Sequence, residues 1–475
     1  THSNVITSLS KDERADIVVI GSGPGGATTA FTLASAGCDV LMLDAGKFHD
    51  PVKKPAFSLA ELQNKYWNNG LAFTLGSPKI MVAMGFAVGG GSEVNNGEFP
   101  SLPDIILENW KTRFEVKNIS NTEIAAHREF AIQKLAAAIE QNEPAAATLL
   151  RTSAEARGWK TESVPRCYDQ STGQAMTLAK TLIPEAMDAG CTILPDTRVK
   201  KMNRQHGRWQ LEVQSQGKKR IIDCQKVFLC AGAVQSPLLL QRSGIGNNVG
   251  RLFQCQPMIK VTARFPQPVN HPDMGIPSLQ VKEFAPDLTL GCSVSTPAYM
   301  ALNMLPHGLD HVRFKSEWEH YANYYVMLTP EGVGRIRSIP FMDEPIIQYK
   351  LTGSDFIKLN RGLQKLYTLL LSAGAEYLYP SIADSRFIVD SHAALSKVPL
   401  QLPRSATHLT AVHLSSGCPM GENRDMTVVD SYGQVFDEDG LIVNDSSIMC
   451  TAPSVNPQAT IMALARRNAL HFLRQ

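Results

Sequence analysis

Residues 15–46, ADIVVIGSGPGGATTAFTLASAGCDVLMLDAG, constrain the fold more than any other stretch of the chain. The β-branched run ADIVVI has the composition of a buried parallel strand. Gly21, Gly23 and Gly26 then form G-x-G-x-x-G. Gly21 permits the tight turn, Gly23 lets a pyrophosphate approach the backbone, and Gly26 lets the next helix pack close to the strand. That helix presents free N–H groups to a phosphate at its N-terminus. The following strand ends in Asp44, next to Ala45, and an acid there accepts hydrogen bonds from a ribose 2′-hydroxyl. The unit predicts a dinucleotide with a free 2′-hydroxyl. NADP is disfavoured, and the unit alone leaves NAD and FAD open. No second fingerprint follows: GIGNNVG (244–250) has the wrong spacing, and GGGSEV lacks the third glycine.

The remaining 429 of the 475 residues outside that stretch and its leader must supply a second body of structure, and their order suggests how. An alanine-rich helical region spans 122–157 and breaks at Pro144. TLAKTLIPEAMDAG predicts a helix ending at Gly190, and a strand meander runs on to KVFLCAG. Residues 257–350 are rich in strand signals. Ser354 is read as the cap of a long amphipathic helix, and a last helix begins near Gln458. Residues 50–80 read as a loop with a short helix near an entrance. The expected class is α/β with α+β character. A Rossmann-like nucleotide domain would comprise 1–256 and 401–475, and a substrate domain, 257–400, would carry a mostly antiparallel sheet flanked by helices.

Composition excludes several functions. The net charge is +2, and no basic block points to nucleic acid. No apolar run reaches the roughly 18 residues of a membrane span. The nine cysteines form no C-x-x-C, so neither a disulfide frame nor a metal site is expected. This predicts a reducing, cytoplasmic setting; a leader removed before Thr1 would make it periplasmic.

Four segments together resemble the glucose–methanol–choline (GMC) oxidoreductases, FAD enzymes that oxidise alcohols. They are the glycine turn, GFAVGGGSEVNNG (85–97), GAVQSPLLLQRSGIG (232–246), and the C-terminal run from HLSSGCPMG to ARRNA. The stretch around GRIRS and PIIQYKLTGSDFIKLNRGLQKL looks most like the branch with long-chain alcohol oxidases and cholesterol-oxidase-like enzymes. The resemblance implies FAD. It puts Gly21, Gly23 and Gly26 at the pyrophosphate, Asp44 and Ala45 at the adenosine ribose, and Val199 at the adenine. Gly90, Ser92 and Asn95 would lie by the flavin and pyrophosphate. Ala231, Gly232, Asp445 and Ser446 would lie along the ribityl and pyrophosphate region. Pro457, Gln458 and Thr460 would sit under the pyrimidine edge of the flavin, where a helix N-terminus stabilises negative charge. Val94 stands where some relatives link flavin to a histidine, so the resemblance implies non-covalent FAD.

Oxidising an alcohol removes a proton from oxygen and a hydride from carbon. Flavin N5 takes the hydride. The family carries a His–His or His–Asn pair, which falls on His413 and Asn456. An imidazole suits proton acceptance near neutrality. The Asn456 amide bonds the substrate oxygen without competing for the proton. His408 is a rival base, and Cys418 reads as a small packed residue. Ser416 and Gly417 depart from the family's usual Gly then Thr or Ser, and Gln256 stands where a histidine is common. The expected partners are a small-molecule alcohol and an electron acceptor, oxygen or a quinone or cytochrome. A non-redox FAD lyase on the same scaffold and an NAD-linked reductase remain alternatives. The aromatic and aliphatic bias of YANYYVML and AYMALNML leans toward an apolar or aryl alcohol over a sugar.

Overall fold

A computed structural model describes residues 13–49, 58–169, 171–272, 274, 277–308 and 311–475. The polar leader before Glu13 and the Pro51 and Pro55 part of the entrance loop lie outside the described residues. The architecture is mixed α/β, built on two large sheets.

The first sheet has seven strands around Glu13–Ile20. Val40–Leu43 and then Thr192–Leu194 add in parallel on one side, and Lys218–Leu229 lies parallel on the other. Lys218–Leu229 is 12 residues long and serves two partners along its outer edge. Its first half pairs antiparallel with Arg208–Ser215, which hairpins back to Thr197–Gln205. Its last residues pair in parallel with Leu441–Val443. The chain's C-terminal part is thereby returned to the nucleotide sheet. Val40–Leu43 is buried throughout, as a parallel strand covered on both faces must be.

The glycine turn is set by backbone contact. Gly21 has φ +99°, and a Cβ there would lie 2.4 Å from the Cys230 carbonyl oxygen. A Cβ on Gly26 would meet the Gly21 oxygen at 1.8 Å. Only glycine lets helix Pro24–Ala34 start this close to the strand it follows. That helix packs on the last helix, Gln458–Phe472, and on Leu182–Asp188.

The second sheet has nine strands and is mostly antiparallel. Met258–Arg264 is its hub, pairing with Tyr321–Leu328, Tyr377–Pro380 and, through Met258, Leu409–Ala411. Leu288–Cys292 and Leu279–Val281 continue one side. Ala72–Phe73, Ile80–Val82, Thr161–Ser163 and Leu409–Ala411 join the sheet from outside residues 257–400. The loop between the last of these strands and the nucleotide half carries residue 413. Helix Gly353–Ser372 lies across this sheet, seated where Gly362 lacks a Cβ that would meet Val326 Cγ1 at 2.6 Å.

Three local expectations shift. The long helix is capped by Thr352 rather than Ser354. Thr352 Oγ1 accepts from the Asp355 amide while Asp355 Oδ2 accepts from the Thr352 amide, a reciprocal capping box. AYMALNML, within a block rich in strand signals, forms helix Pro297–Met304, which Pro297 starts at its first turn. The helix before Gly190 begins only at Leu182. No helix among the described residues is long and apolar enough to cross a membrane.

Candidate active site

One cavity of about 380 Å³ runs from Asp44, Ala45 and Val199 at one end, past both glycine-rich segments, to His413 and Asn456. Its two halves are built differently.

The first half is a backbone cradle. Helix Pro24–Ala34 and helix Gln458–Phe472 both begin at the cavity, and neither N-cap residue offers a side-chain cap. Their first-turn N–H groups are therefore available to an anion. Gly23 and Gly90 touch: a Cβ on Gly90 would meet the Gly23 Cα at 2.7 Å, and Gly90 has φ +56°. Ser22 locks this contact. Its hydroxyl donates to Asp44 Oδ2 at 2.5 Å and accepts from the Gly89 amide at 2.9 Å. Asp44 also accepts from the Ser22 amide at 2.8 Å and the Gly46 amide at 2.7 Å. Asp445 plays the same part opposite: its carboxylate accepts from the Gly232 and Ser447 amides and the Ser236 hydroxyl. Burial pushes both carboxyls up, and these bonds hold them back.

The second half is a side-chain chamber. His413 Nε2 lies 3.2 Å from Asn456 Nδ2. The other ring nitrogen, Nδ1, is buried without a partner. The ring keeps part of its surface open, and it lines the cavity. Burial, with Lys260 and Lys282 nearby, lowers its pKa to about 3, so the imidazole is neutral. Asn456 is held from behind. Gln280 Nε2 donates to Asn456 Oδ1 at 3.0 Å and to Glu98 Oε2 at 3.1 Å. This chain orients the Asn456 amide so that its N–H₂ faces His413 Nε2, leaving Nε2 as the acceptor. Glu98 is buried; desolvation raises its carboxyl, opposed by Arg166, Lys282, Asn456 and Lys260.

Most of the residues singled out from the sequence line this cavity: Gly21, Gly23, Asp44, Ala45, Gly90, Asn95, Val199, Ala231, Gly232, His413, Asp445, Ser446, Asn456, Pro457 and Gln458. Gly26, Ser92 and Thr460 do not. Gly26 packs against Gly21, as its place in the motif requires. Ser92 spends its hydroxyl on the Gly89 carbonyl and the Leu178 amide, so it braces the second glycine segment from behind. Thr460 is buried, with Oγ1 unpartnered. Asn95 bonds Gln458 across the cavity mouth of the last helix. His408 is exposed and lines no part of the cavity. Cys418 is buried in the apolar core beneath the nucleotide sheet. Gln256 is fully buried with both amide atoms unpartnered.

Sequence reasoning missed Ser22, Glu98, Lys260 and Gln280. Ser22 carried a signal, since it sits between two motif glycines and faces Asp44. The other three are single polar residues in or beside short strands, and only the sheet register brings them together.

Known proteins resemble this chain along most of its length. Two family models described as GMC oxidoreductase match residues 62–258 and 330–465. A GMC-type oxidoreductase of Sinorhizobium fredii is 35% identical over 474 residues, covering 96% of this chain and 94% of its own. A long-chain-alcohol oxidase of Arabidopsis thaliana is 23% identical, covering 95% of this chain and 67% of its own. The crystal structure of pyridoxine 4-oxidase from Mesorbium loti superposes with a TM-score of 0.74 at 19% identity, covering 97% of this chain and 99% of that one.

Proposed function

The chain belongs to the GMC oxidoreductase family of FAD-dependent oxidoreductases, and from that membership we propose that it oxidises the CH–OH group of a small alcohol to a carbonyl, with His413 as base. The observation that carries this reading is the His413–Asn456 pair, 3.2 Å apart, in a cavity continuous with the glycine cradle.

The cradle suits FAD. Two uncapped helix N-termini face the cavity, and Gly232 and Gly91 leave open space where a Cβ would stand. Gly21, Gly23 and Gly90 would hold the pyrophosphate, Asp44, Ala45 and Val199 the adenosine, and Asn95, Pro457 and Gln458 the isoalloxazine. Bound FAD supplies the hydride acceptor, flavin N5. Val94 lines the cavity and offers no nucleophile, so the cofactor is held without a covalent link.

The chain's own residues handle the proton. A neutral imidazole with Nε2 as acceptor takes the hydroxyl proton as the carbon gives up its hydride. The Asn456 N–H₂ donates to the substrate oxygen and keeps it beside Nε2. Gln280 and Glu98 fix that amide's orientation. Burial of His413, with Lys260 and Lys282 nearby, keeps the base unprotonated.

Anaerobic mixing of the yellow protein with a panel of primary alcohols tests this. At least one alcohol is expected to bleach the flavin absorbance. A yellow protein that no alcohol bleaches would return the lyase alternative, and a colourless protein that binds NADH would return the reductase. Acid precipitation is expected to release the colour into the supernatant.

A further inference from the structure

The chamber contains a cation that no step above sets against the substrate. Lys260 lies on the hub strand Met258–Arg264 and is only 5% exposed, yet it lines the cavity. Alternation along MIKVTAR places Met258, Lys260 and Thr262 on one face, with Ile259, Val261 and Ala263 in the core on the other. Helix Pro297–Met304 packs against this strand, so the polar face is not left to solvent. Lys260 Nζ donates to Ser293 Oγ at 2.9 Å. It lies 5.0 Å from the centre of the Tyr325 ring and 5.9 Å from that of Tyr299. Tyr325 pairs directly with Lys260 across the sheet, and Gly291 makes room for it: a Cβ there would meet the Tyr325 hydroxyl at 2.6 Å.

No carboxylate comes within 4 Å of Lys260 Nζ among the described residues. Glu98 acts on it only from farther away. A buried ammonium whose partners are one hydroxyl, the Met258 thioether sulfur at 3.6 Å and two aromatic faces is incompletely compensated. Aromatic faces and a hydroxyl stabilise a cation without neutralising it. Glu98 is the one carboxylate acting on Lys260, and it is shared with Arg166 and Lys282, whereas Lys282 also has Glu162.

Resting on the alcohol-oxidising reading above, we propose that the substrate carries an anionic group besides its CH–OH, a carboxylate or an ionised ring hydroxyl, held by Lys260. A single lysine that donates to one hydroxyl matches a singly charged group rather than a phosphate. Ser293 and the Tyr299 and Tyr325 rings would frame that group, and the CH–OH would reach the His413–Asn456 pair. Desolvation brings the Lys260 pKa down to about 8, which leaves the ammonium mostly charged at neutral pH and primed to gain from an anion.

The test is anaerobic stopped-flow reduction of the holoprotein by 4-(hydroxymethyl)benzoate, its neutral methyl ester and benzyl alcohol. Wild type is expected to bind the benzoate about 10- to 100-fold more tightly than the neutral pair, the range of a charged hydrogen bond. Lys260→Met should erase that ratio, and Lys260→Arg should keep most of it. Equal affinities in wild type, or a ratio unchanged in Lys260→Met, overturn the proposal and make Lys260 a framework cation balancing Glu98. Plain benzoate, titrated against the flavin absorbance, separates this from the parent reading. If no alcohol bleaches the flavin, alcohol oxidation fails, yet Lys260-dependent benzoate binding still supports the anion site. Absence of benzoate binding in wild type sinks it.

Discussion

The two halves of the cavity satisfy their polar groups in opposite ways. In the cradle, Asp44 and Asp445 each accept three hydrogen bonds or more from amides and hydroxyls of the protein itself. In the chamber, His413 Nδ1 and Thr410 Oγ1 are buried without a partner, and Lys260 lacks a counter-ion within reach. Buried polar atoms are usually paired, so an unpaired cluster marks where a ligand belongs. The cradle's two carboxylates are finished by the fold, which leaves the cradle for a cofactor to fill. The chamber is finished by its substrate. This difference predicts how each half fails when altered.

The chamber's largest failure is chemical. Replacing His413 with Gln keeps size and polarity but removes the proton acceptor. The expected result is a protein that stays yellow while its anaerobic reduction rate falls roughly 10²- to 10⁴-fold. Loss of the flavin in this variant would show that His413 serves the cradle, and the contrast between the halves would collapse.

The cradle's failure is all-or-none in occupancy rather than in rate. Gly90→Ala puts a Cβ 2.7 Å from the Gly23 Cα, at a backbone angle of φ +56° that side chains rarely adopt. Neither contact atom can swing away, because both belong to backbone. Strain of about 1–3 kcal/mol is expected at such a position, enough for roughly 5- to 150-fold weaker FAD retention. Gel filtration followed by the ratio of flavin to protein absorbance measures it. Full retention would mean that the two glycine segments do not need their close approach.

A subtler change sharpens the comparison. Gln280 donates to Glu98 and to the back of Asn456. Gln280→Met removes the donor that fixes the Asn456 amide and leaves its far side free to flip. About a tenfold drop in reduction rate is expected, from one buried hydrogen bond, with FAD content unchanged. An unchanged rate would assign the orientation of Asn456 to Glu98 or to the backbone alone.

The same contrast explains what the sequence made legible. The cradle is written in local backbone pattern: Gly21, Gly23 and Gly26 at fixed spacing, then an acid after the next strand, and each spacing has one geometric meaning. Both sheets and most helices follow from hydrophobic period. The chamber is assembled from Glu98, Met258–Arg264, Gln280, Ser293, His413 and Asn456, far apart in the chain. His413 and Asn456 could be named only because the surrounding motif resembles a family. Lys260 carries no functional signal in the sequence, since nothing in MIKVTAR says that helix Pro297–Met304 will cover it. The tyrosines behind the lean toward an apolar or aryl alcohol also face Lys260, which their sequence pattern does not disclose. Ser354 was mistaken for a cap because the competing signal, Asp355 bonding back to Thr352, appears only once the turn is folded.

The smallest predicted effect is an absence of change with pH, and it tests the chamber's dryness. A base with an ordinary imidazole pKa near 6.5 would lose about tenfold in rate between pH 7.5 and 5.5. Burial and the positive charges of Lys260 and Lys282 instead keep His413 neutral down to about 3. With benzyl alcohol as a neutral probe, so that Lys260 has no substrate charge to hold, the reduction rate is expected to stay flat from pH 5.5 to 7.5. The stability of the protein carries the matching sign. Between about 3 and 6.5 the unfolded chain takes up a proton at residue 413 that the native chamber refuses. Acidification through that window therefore weakens the fold, and His413→Gln should remove this share of the loss. A rate that instead climbs with a midpoint near 6.5 would mean that water reaches the imidazole before the substrate does, and the chamber would be as open as the cradle is closed.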